Sequence, residues 1–527
     1  MTPMFPGGIS RRVGGGIAPC LMIQGTSSGV GKSVVATALC RLFARAGLHV
    51  APFKAQNMAL NASVADGGEI GRSQAAQAEA AGIEPSVDMN PVLLKPETDR
   101  VAQVIVRGRV WGRTDFHGYA GMREEIWPVV VESLRRLRQH HDLIIIEGAG
   151  SPAEINLRDR DIANMAIAHL AEAPVLLVGD IDRGGLFAAV VGTLELLSPL
   201  ERGRVAGLVV NRFRGDLDLL APGLAMLTER TGVRVLGVIP HLDGRLVPAE
   251  DSLDLDGLES AGDPALLDVA VVRLPRIANF DDFEPLAAEP GVRLHLARRP
   301  GDLEGADLII LPGSKSTMAD LDWLGERGLD RAIAAAAARG GQILGICGGY
   351  QMLGRMLRDP DHVESATDAR PGLGLLPVET WFTRSKAVRR VQATGATTSP
   401  LFAGVTGTFQ AYEIHAGRTA AARTSTRPRP LPPVFRVVAR QGRAANDADG
   451  AVGPSGNVEG TYLHGIFADP AVRRSLLARL AERRGVAPDP GWGAPSETDR
   501  YDRLAGLVGG ALDLGAITNL VGLSHLR

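Results

Sequence analysis

Lysine is nearly missing from this 527-residue chain: of 57 basic residues only Lys32, Lys54, Lys95, Lys315 and Lys386 are lysine. A chain that uses arginine almost everywhere keeps lysine where a compact ammonium cannot be exchanged for a planar fork. Cysteine is scarce too. Cys20, Cys40 and Cys347 are scattered without pair or metal spacing, which argues against a disulfide framework or a zinc site and suits one working thiol in a reducing cytoplasm. No apolar run approaches the ~18–20 residues of a membrane span. The formal charge of −2, with signs mixed, gives no electrostatic basis for a nucleic-acid partner or an anionic membrane. Met1 to Pro19, rich in Gly and Pro and without an apolar signal core, reads as a loose tail (1–18). The length calls for two or three domains.

What is present gathers around Gln342-Ile-Leu-Gly-Ile-Cys-Gly-Gly-Tyr-Gln351. Gln342 to Ile346 reads as a buried strand, and Tyr350 onward as the start of a helix. Between them Gly345-Ile-Cys347-Gly-Gly349 has the form Gly-x-nucleophile-x-Gly. Small residues on both sides suit a sharp strand-to-helix turn that strains the nucleophile's backbone. The sulfur would sit at a helix N-terminus, whose positive end lowers a thiol's pKa. The Gly348 amide would face an oxyanion, and Gly313, in the strand-then-loop Asp307 to Thr317, is a candidate second donor.

Near the start, a short apolar strand runs into Gly25-Thr-Ser-Ser-Gly-Val-Gly-Lys32-Ser33 and then a helix. This is a phosphate-binding loop for ATP. Backbone N–H groups at Thr26, Ser28, Gly29, Val30 and Gly31 would cradle phosphates, Lys32 would reach the terminal ones, and Ser33 would ligate Mg²⁺. Lys54 ends the next strand and offers a second cation. Asp142-Leu-Ile-Ile-Ile-Glu147 is an apolar strand ending in a carboxylate, where Glu147 would act through Mg²⁺ rather than through the fold. Asp66 is a further metal candidate, and Gln56, Asn57 and Asp161 are candidate substrate contacts. Asn211, ending a later strand, is placed to read a purine base. Strands alternating with helices, with polar residues at the strands' carboxyl ends, mean a doubly wound parallel sheet (19–240) with its site along that edge.

Residues 241–267, rich in Asp, Gly and Pro, read as a linker. A second α/β series fills 268–480, and a helical tail without visible chemistry follows (481–527). In the second series Ala278-Asn-Phe-Asp-Asp-Phe-Glu284 follows the first strand. Thr419 to Pro433 reads as a flexible loop, and Gly460-Thr-Tyr-Leu-His464 is a strand ending in histidine.

The Gly-Thr-x4-Gly-Lys-Ser spacing resembles the dethiobiotin synthetase group. Cys347, His464 and the loop ending at Gly313 together resemble a class I glutamine amidotransferase, which implies a Cys nucleophile and a His proton shuttle. That family usually places Glu two residues after the His, where this chain has Ile466. The branch that amidates corrinoids has the same gap. Pro52 to Asn61, Asn90 to Pro96, Glu147 to Leu157, Asp180 to Gly185, Gly345 to Gly354 and Gly460 to Gly465 together resemble the cobyric acid synthase family over about residues 20 to 520. That resemblance implies two doubly wound α/β domains, with ATP and Mg²⁺ acting on a corrinoid carboxylate through an acyl phosphate and glutamine supplying ammonia. It names no nucleic-acid or membrane partner and leaves a homo-oligomer open. The a,c-diamide synthase, which shares both domains, is set apart by the long matches at Pro52–Asn61 and Ser151–Leu157.

Overall fold

The structure, a computed structural model, describes residues 17–98, 100–115, 118, 121–242, 246–248, 259, 266–422, 431–494 and 497–523. The expected tail at 1–18 and linker at 241–267 therefore lie largely outside the described residues. The chain divides into two compact units. The first comprises Met1–Ala59, Glu69–Pro248 and Ser496–Arg527; the second comprises Leu60–Gly68 and Ala249–Pro495.

The first unit is built on a six-stranded sheet in the order Val235–Pro240, Val205–Phe213, Val175–Asp180, Cys20–Gly25, Leu143–Glu147, Val50–Phe53, with every pairing parallel. Runs such as Leu143-Ile-Ile-Ile146 are apolar at every position because both faces are covered. Alternate residues serve opposite faces. Met22, Ile144, Ile146, Val175 and Leu177 enter one core, beside Ile126, Val130 and Leu134 of helix Arg123–His140. Leu21, Ile23, Leu143, Ile145 and Leu176 enter the other, beside Val35, Leu39 and Leu42 of helix Lys32–Arg45.

The second face is where the C-terminal helices, a tail that could pack or dangle as far as the sequence showed, are found packed. Leu504, Ala505 and Val508 of helix Glu497–Ala511 and Ile517 of helix Leu514–Leu520 belong to that same core. Arg41 donates to both oxygens of Asp502 at 2.8 and 3.0 Å, and the Asp513 N–H donates to Leu236 O at 2.7 Å. The partner surface lies hundreds of residues earlier in the chain (461 between Arg41 and Asp502), so local periodicity showed a helix without showing what it covers.

In the second unit Val292–Ala297, Leu267–Val272, Leu308–Leu311, Gln342–Ile346 and Val458–Thr461 form a parallel sheet in that order, edged by antiparallel Ala451–Val452. A second sheet, unforeseen from the sequence, is built on the long hairpin Val378–Gly395 and Phe409–Ala421. Strand Leu463–His464 joins its edge, with Tyr412 opposite His464. Thr419 to Ala421, expected to open a flexible loop, are paired with Val378 to Thr380; residues 423–430 of that loop lie outside the described residues. Among the described residues no helix is long and apolar enough to cross a membrane.

Ending the chain at Ala494 should unfold the first unit. Burial of large apolar side chains such as Leu504, Val508 and Ile517 contributes about 1.5–3 kcal/mol each, against about 5–15 kcal/mol for a whole domain. Soluble yield and the ATP-induced shift in melting temperature measure this. An unchanged ATP-dependent shift would mean that the returning helices are mere appendages.

Candidate active site

In the first unit the carboxyl edge of the sheet brings together Lys32, Ser33, Lys54 and Glu147. Gly29 and Gly31 take φ of 72° and 98°, a region open to glycine. A Cβ on Gly31 would lie 2.1 Å from Asn211 Nδ2. Thr26 N–H donates to Val178 O at 2.9 Å and ties the loop to the sheet. Lys32 Nζ donates to Ser27 O at 3.0 Å and Gly150 O at 2.9 Å, so the ammonium bridges the two glycine-bearing loops. Arg183, within the Asp180–Gly185 stretch but given no role from the sequence, lies beside this cradle. Its Nη2 is 3.2 Å from where a Cβ on Gly29 would stand.

Glu147, 1% exposed, is a shared acceptor. Ser33 Oγ and Lys54 Nζ both donate to its Oε1 at 2.9 Å, and Gln77 Nε2 donates to Oε2 at 2.6 Å. This revises two expectations. Lys54 is in a buried ion pair rather than standing as a spare cation, and Glu147 joins two helices and a strand end, so it serves the fold as well as any metal.

Other expectations change more. Asn211 donates from Nδ2 to Val30 O at 2.8 Å and is buried; it pins the phosphate loop instead of reaching toward a base. Asp161 accepts from the N–H groups of Ala163 (2.9 Å), Asn164 (2.8 Å) and Ala166 (2.9 Å). Three backbone donors occupy its carboxylate in shaping the start of helix Met165–Leu170, which removes the reason to assign it to substrate. Asn57 is buried and donates to Gln74 Oε1 at 3.1 Å, a bond between strand and helix, while Gln56 beside it is half-buried. Asp66 is counted with the second unit and is exposed on a turn at φ 49°. A polar residue past a strand looks the same in sequence whether it meets a ligand or the backbone.

In the second unit Cys347 has φ 51° and ψ −105° as the residue before helix Gly348–Leu353. Such a backbone costs about 1–3 kcal/mol in a residue other than glycine. The neighbours explain the glycines: a Cβ on Gly349 would lie 2.0 Å from Leu311 O, and one on Gly345 would lie 2.7 Å from Tyr350 N. Cys347 N–H donates to Thr461 O at 2.8 Å, and Sγ lies 3.5 Å from Ile414 O. Gly348 and the Gly313–Ser314 strand close in here. A Cβ on Gly348 would be 2.8 Å from Ser314 N, and one on Gly313 would be 3.0 Å from His464 Cε1.

His464 is buried, close enough to Cys347 for the two to act on each other electrostatically, and its Nδ1 lies 2.6 Å from Asp282 Oδ2. Burial opposes a charge on the ring, but the Asp282 carboxylate and Cys347 outweigh it and push His464 up to about 10. Nothing in the sequence pointed to Asp282, which lies 182 residues before its partner. His415 is the reverse case. Burial pushes it down to about 4, despite its 2.8 Å bond from Nδ1 to Gly417 O, and it stacks on Tyr462 at 3.8 Å. Burial pushes the Cys20 thiol up to about 12 and raises that of Cys40 also, which leaves both inert as nucleophiles.

A phosphate-binding sheet and a strained thiol paired with histidine, on one chain, define a glutamine-dependent ligase. Residues 21–247 match the CobQ/CobB/MinD/ParA nucleotide binding domain, and residues 268–472 match the CobB/CobQ-like glutamine amidotransferase domain. The cobyric acid synthase of Sorangium cellulosum (strain So ce56) is 53% identical over 522 residues, covering 96% of this chain and 99% of that one. Those of Pelotomaculum thermopropionicum (50% identical, 97% and 98% covered) and Moorella thermoacetica (48%, 97% and 98%) are similar throughout as well. The chain belongs to the cobyric acid synthase family.

Glu147→Gln would leave the Lys54 ammonium buried without its counter-charge, a loss of about 3–5 kcal/mol. Urea unfolding should show it, and adding Lys54→Met should restore much of the stability. A single variant as stable as the parent would mean that the pair contributes nothing to the fold.

Proposed function

We propose that this protein amidates the b, d, e and g side-chain carboxylates of adenosylcobyrinic acid a,c-diamide, giving adenosylcobyric acid in cobalamin biosynthesis, with ATP and glutamine consumed. The observation that carries this reading is the identity with cobyric acid synthases over nearly the full length of both chains. A carboxylate is a poor electrophile because its oxygen will not depart. Phosphorylation by ATP in the first unit converts it to an acyl phosphate, and ammonia then displaces phosphate. Lys32 and the N–H groups of the glycine loop meet the charge on the transferring group, with Arg183 as a further cation.

Mg²⁺ suits Ser33 and Glu147: a hydroxyl and a carboxylate oxygen 2.9 Å apart are hard donors of the sort that hold this ion together with water and phosphate. Among the described residues no cluster of three or more His, Cys, Asp or Glu could hold a metal alone. When bound, the ion would neutralise phosphate charge. In the second unit Cys347 attacks the glutamine side-chain amide, His464 carries the proton to the departing ammonia, and the amides at Gly348 and Gly313 are the proposed oxyanion donors. Water then releases glutamate.

Incubating the a,c-diamide with ATP and glutamine should give four successive products, each slightly lighter than the one before because –NH2 replaces –OH; an unmodified corrinoid would overturn the assignment. Cys347→Ser should lower glutamine hydrolysis by on the order of 10⁶-fold, by analogy with nucleophile knockouts elsewhere, while concentrated ammonia restores amidation. Rescue should grow as pH rises and free NH₃ accumulates. Lys32→Arg should lose ~10²–10³-fold or more with either nitrogen source. An arginine variant at half the parent rate would refute the role given to Lys32.

A further inference from the structure

The glutamine amidotransferase family usually places a carboxylate two residues beyond its histidine. Here that position is Ile466, fully buried among apolar residues. We infer that Asp282 does the missing work from another part of the chain: it orients His464 and stabilises the imidazolium formed as Cys347 gives up its proton.

The carboxylate is used completely, and always toward His464 and its surroundings. Oδ2 meets His464 Nδ1 at 2.6 Å, while Oδ1 accepts from the Gly465 N–H at 2.8 Å and from Tyr412 Oη at 3.4 Å. Asp282 is 5% exposed, so its charge acts with little screening from water. With Nδ1 engaged, Nε2 is left for the thiol. A carboxylate that merely capped its own short helix Phe280–Phe283 would bond that helix's N–H groups; this one does not. Tyr412 also stacks on the imidazole, centroids 5.4 Å apart and planes 16° from parallel.

The loop carrying Asp282 is held from outside its own element. Asn279, at φ 54°, donates from Nδ2 to Tyr412 Oη at 2.9 Å and to Ala62 O at 3.2 Å. Phe280 N–H donates to Asn61 Oδ1 at 3.1 Å. The short segment Leu60–Gly68, counted with the second unit, thereby supports the loop. Phe280 and Phe283 are buried beneath it, Phe283 beside Phe467 at 6.3 Å. Asp282 is thus a positioning residue, acting on glutamine only through His464.

The inference rests on Cys347 and His464 as the glutaminase pair, and the test separates the two. In the full chain Asp282→Asn should reduce glutaminase kcat by about 10²–10⁴-fold, as loss of the orienting carboxylate does in other triads, with the glutamine KM within about threefold. Ammonia-dependent amidation should be unchanged. The charged and titratable groups that bear on His464 are Asp282, Cys347, Tyr412 and His415. Removing the Asp282 charge makes the imidazolium easier to deprotonate, so the alkaline limb of the glutaminase profile should move to lower pH. Asp282→Glu should recover part of the rate and move that limb back.

Glutaminase within about threefold of the parent in Asp282→Asn would overturn the inference, as would unmoved pH limbs or an equal loss of the ammonia reaction. If Asp282→Asn does not fold, the Asp282→Glu profile decides: a limb identical to the parent's, with lowered rate, counts against it. Glutamate release persisting in Cys347→Ser would instead sink the underlying pair, and this inference with it.

Discussion

A single buried carboxylate organises the nucleotide-binding half of the molecule. Glu147 ends the strand Leu143–Glu147 and receives Ser33 from the helix after the phosphate loop, Lys54 from the end of a neighbouring strand, and Gln77 from helix Arg72–Ala81. Removing such a charge from water is costly, and only good geometry on all its lone pairs offsets that cost. The same arrangement recurs. Lys95 donates to the buried Glu69 at 2.5 Å. Two of the five lysines in an arginine-rich chain therefore serve interior glutamates. A third, Lys32, serves two carbonyls in glycine-bearing loops. In each place a narrow ammonium on a flexible stem fits where a planar guanidinium asks for more room.

Backbone demands explain what could be read from the sequence. Gly29, Gly31, Gly345 and Gly349 stand where a side chain would collide or where φ is positive, and continuous apolar runs suit strands covered on both faces. The phosphate loop, the Cys347 turn and two α/β units were therefore legible. Side-chain destinations were not. Asp161 and Asn211 lie just past core strands, as ligand-binding residues do, yet they serve backbone atoms. Asp282 sits among Asn279, Asp281 and Glu284, any of which offers a polar group, and only the fold brings one of them to Nδ1 of His464.

The second sheet was missed for a related reason. Residues 378–395 and 409–421 carry many exposed or half-exposed positions, so the alternation that marks a half-buried strand is blurred. Its role is nonetheless close to the chemistry. Ile414 O meets the Cys347 sulfur, and Tyr412 stacks on His464.

Because helices Glu497–Ala511 and Leu514–Leu520 close a core that begins with Leu21, the first unit is begun before the second and completed after it as the polypeptide leaves the ribosome. Its phosphate loop and five of its six strands precede residue 214, yet one face of the sheet stays incompletely covered until residues 497–520 emerge. The second unit, whose main segment ends at Pro495, can assemble its thiol site first. A nascent chain would thus leave the face carrying Leu21, Ile23, Leu143 and Ile145 short of its full cover for most of synthesis, a period in which open apolar surface invites chaperone binding.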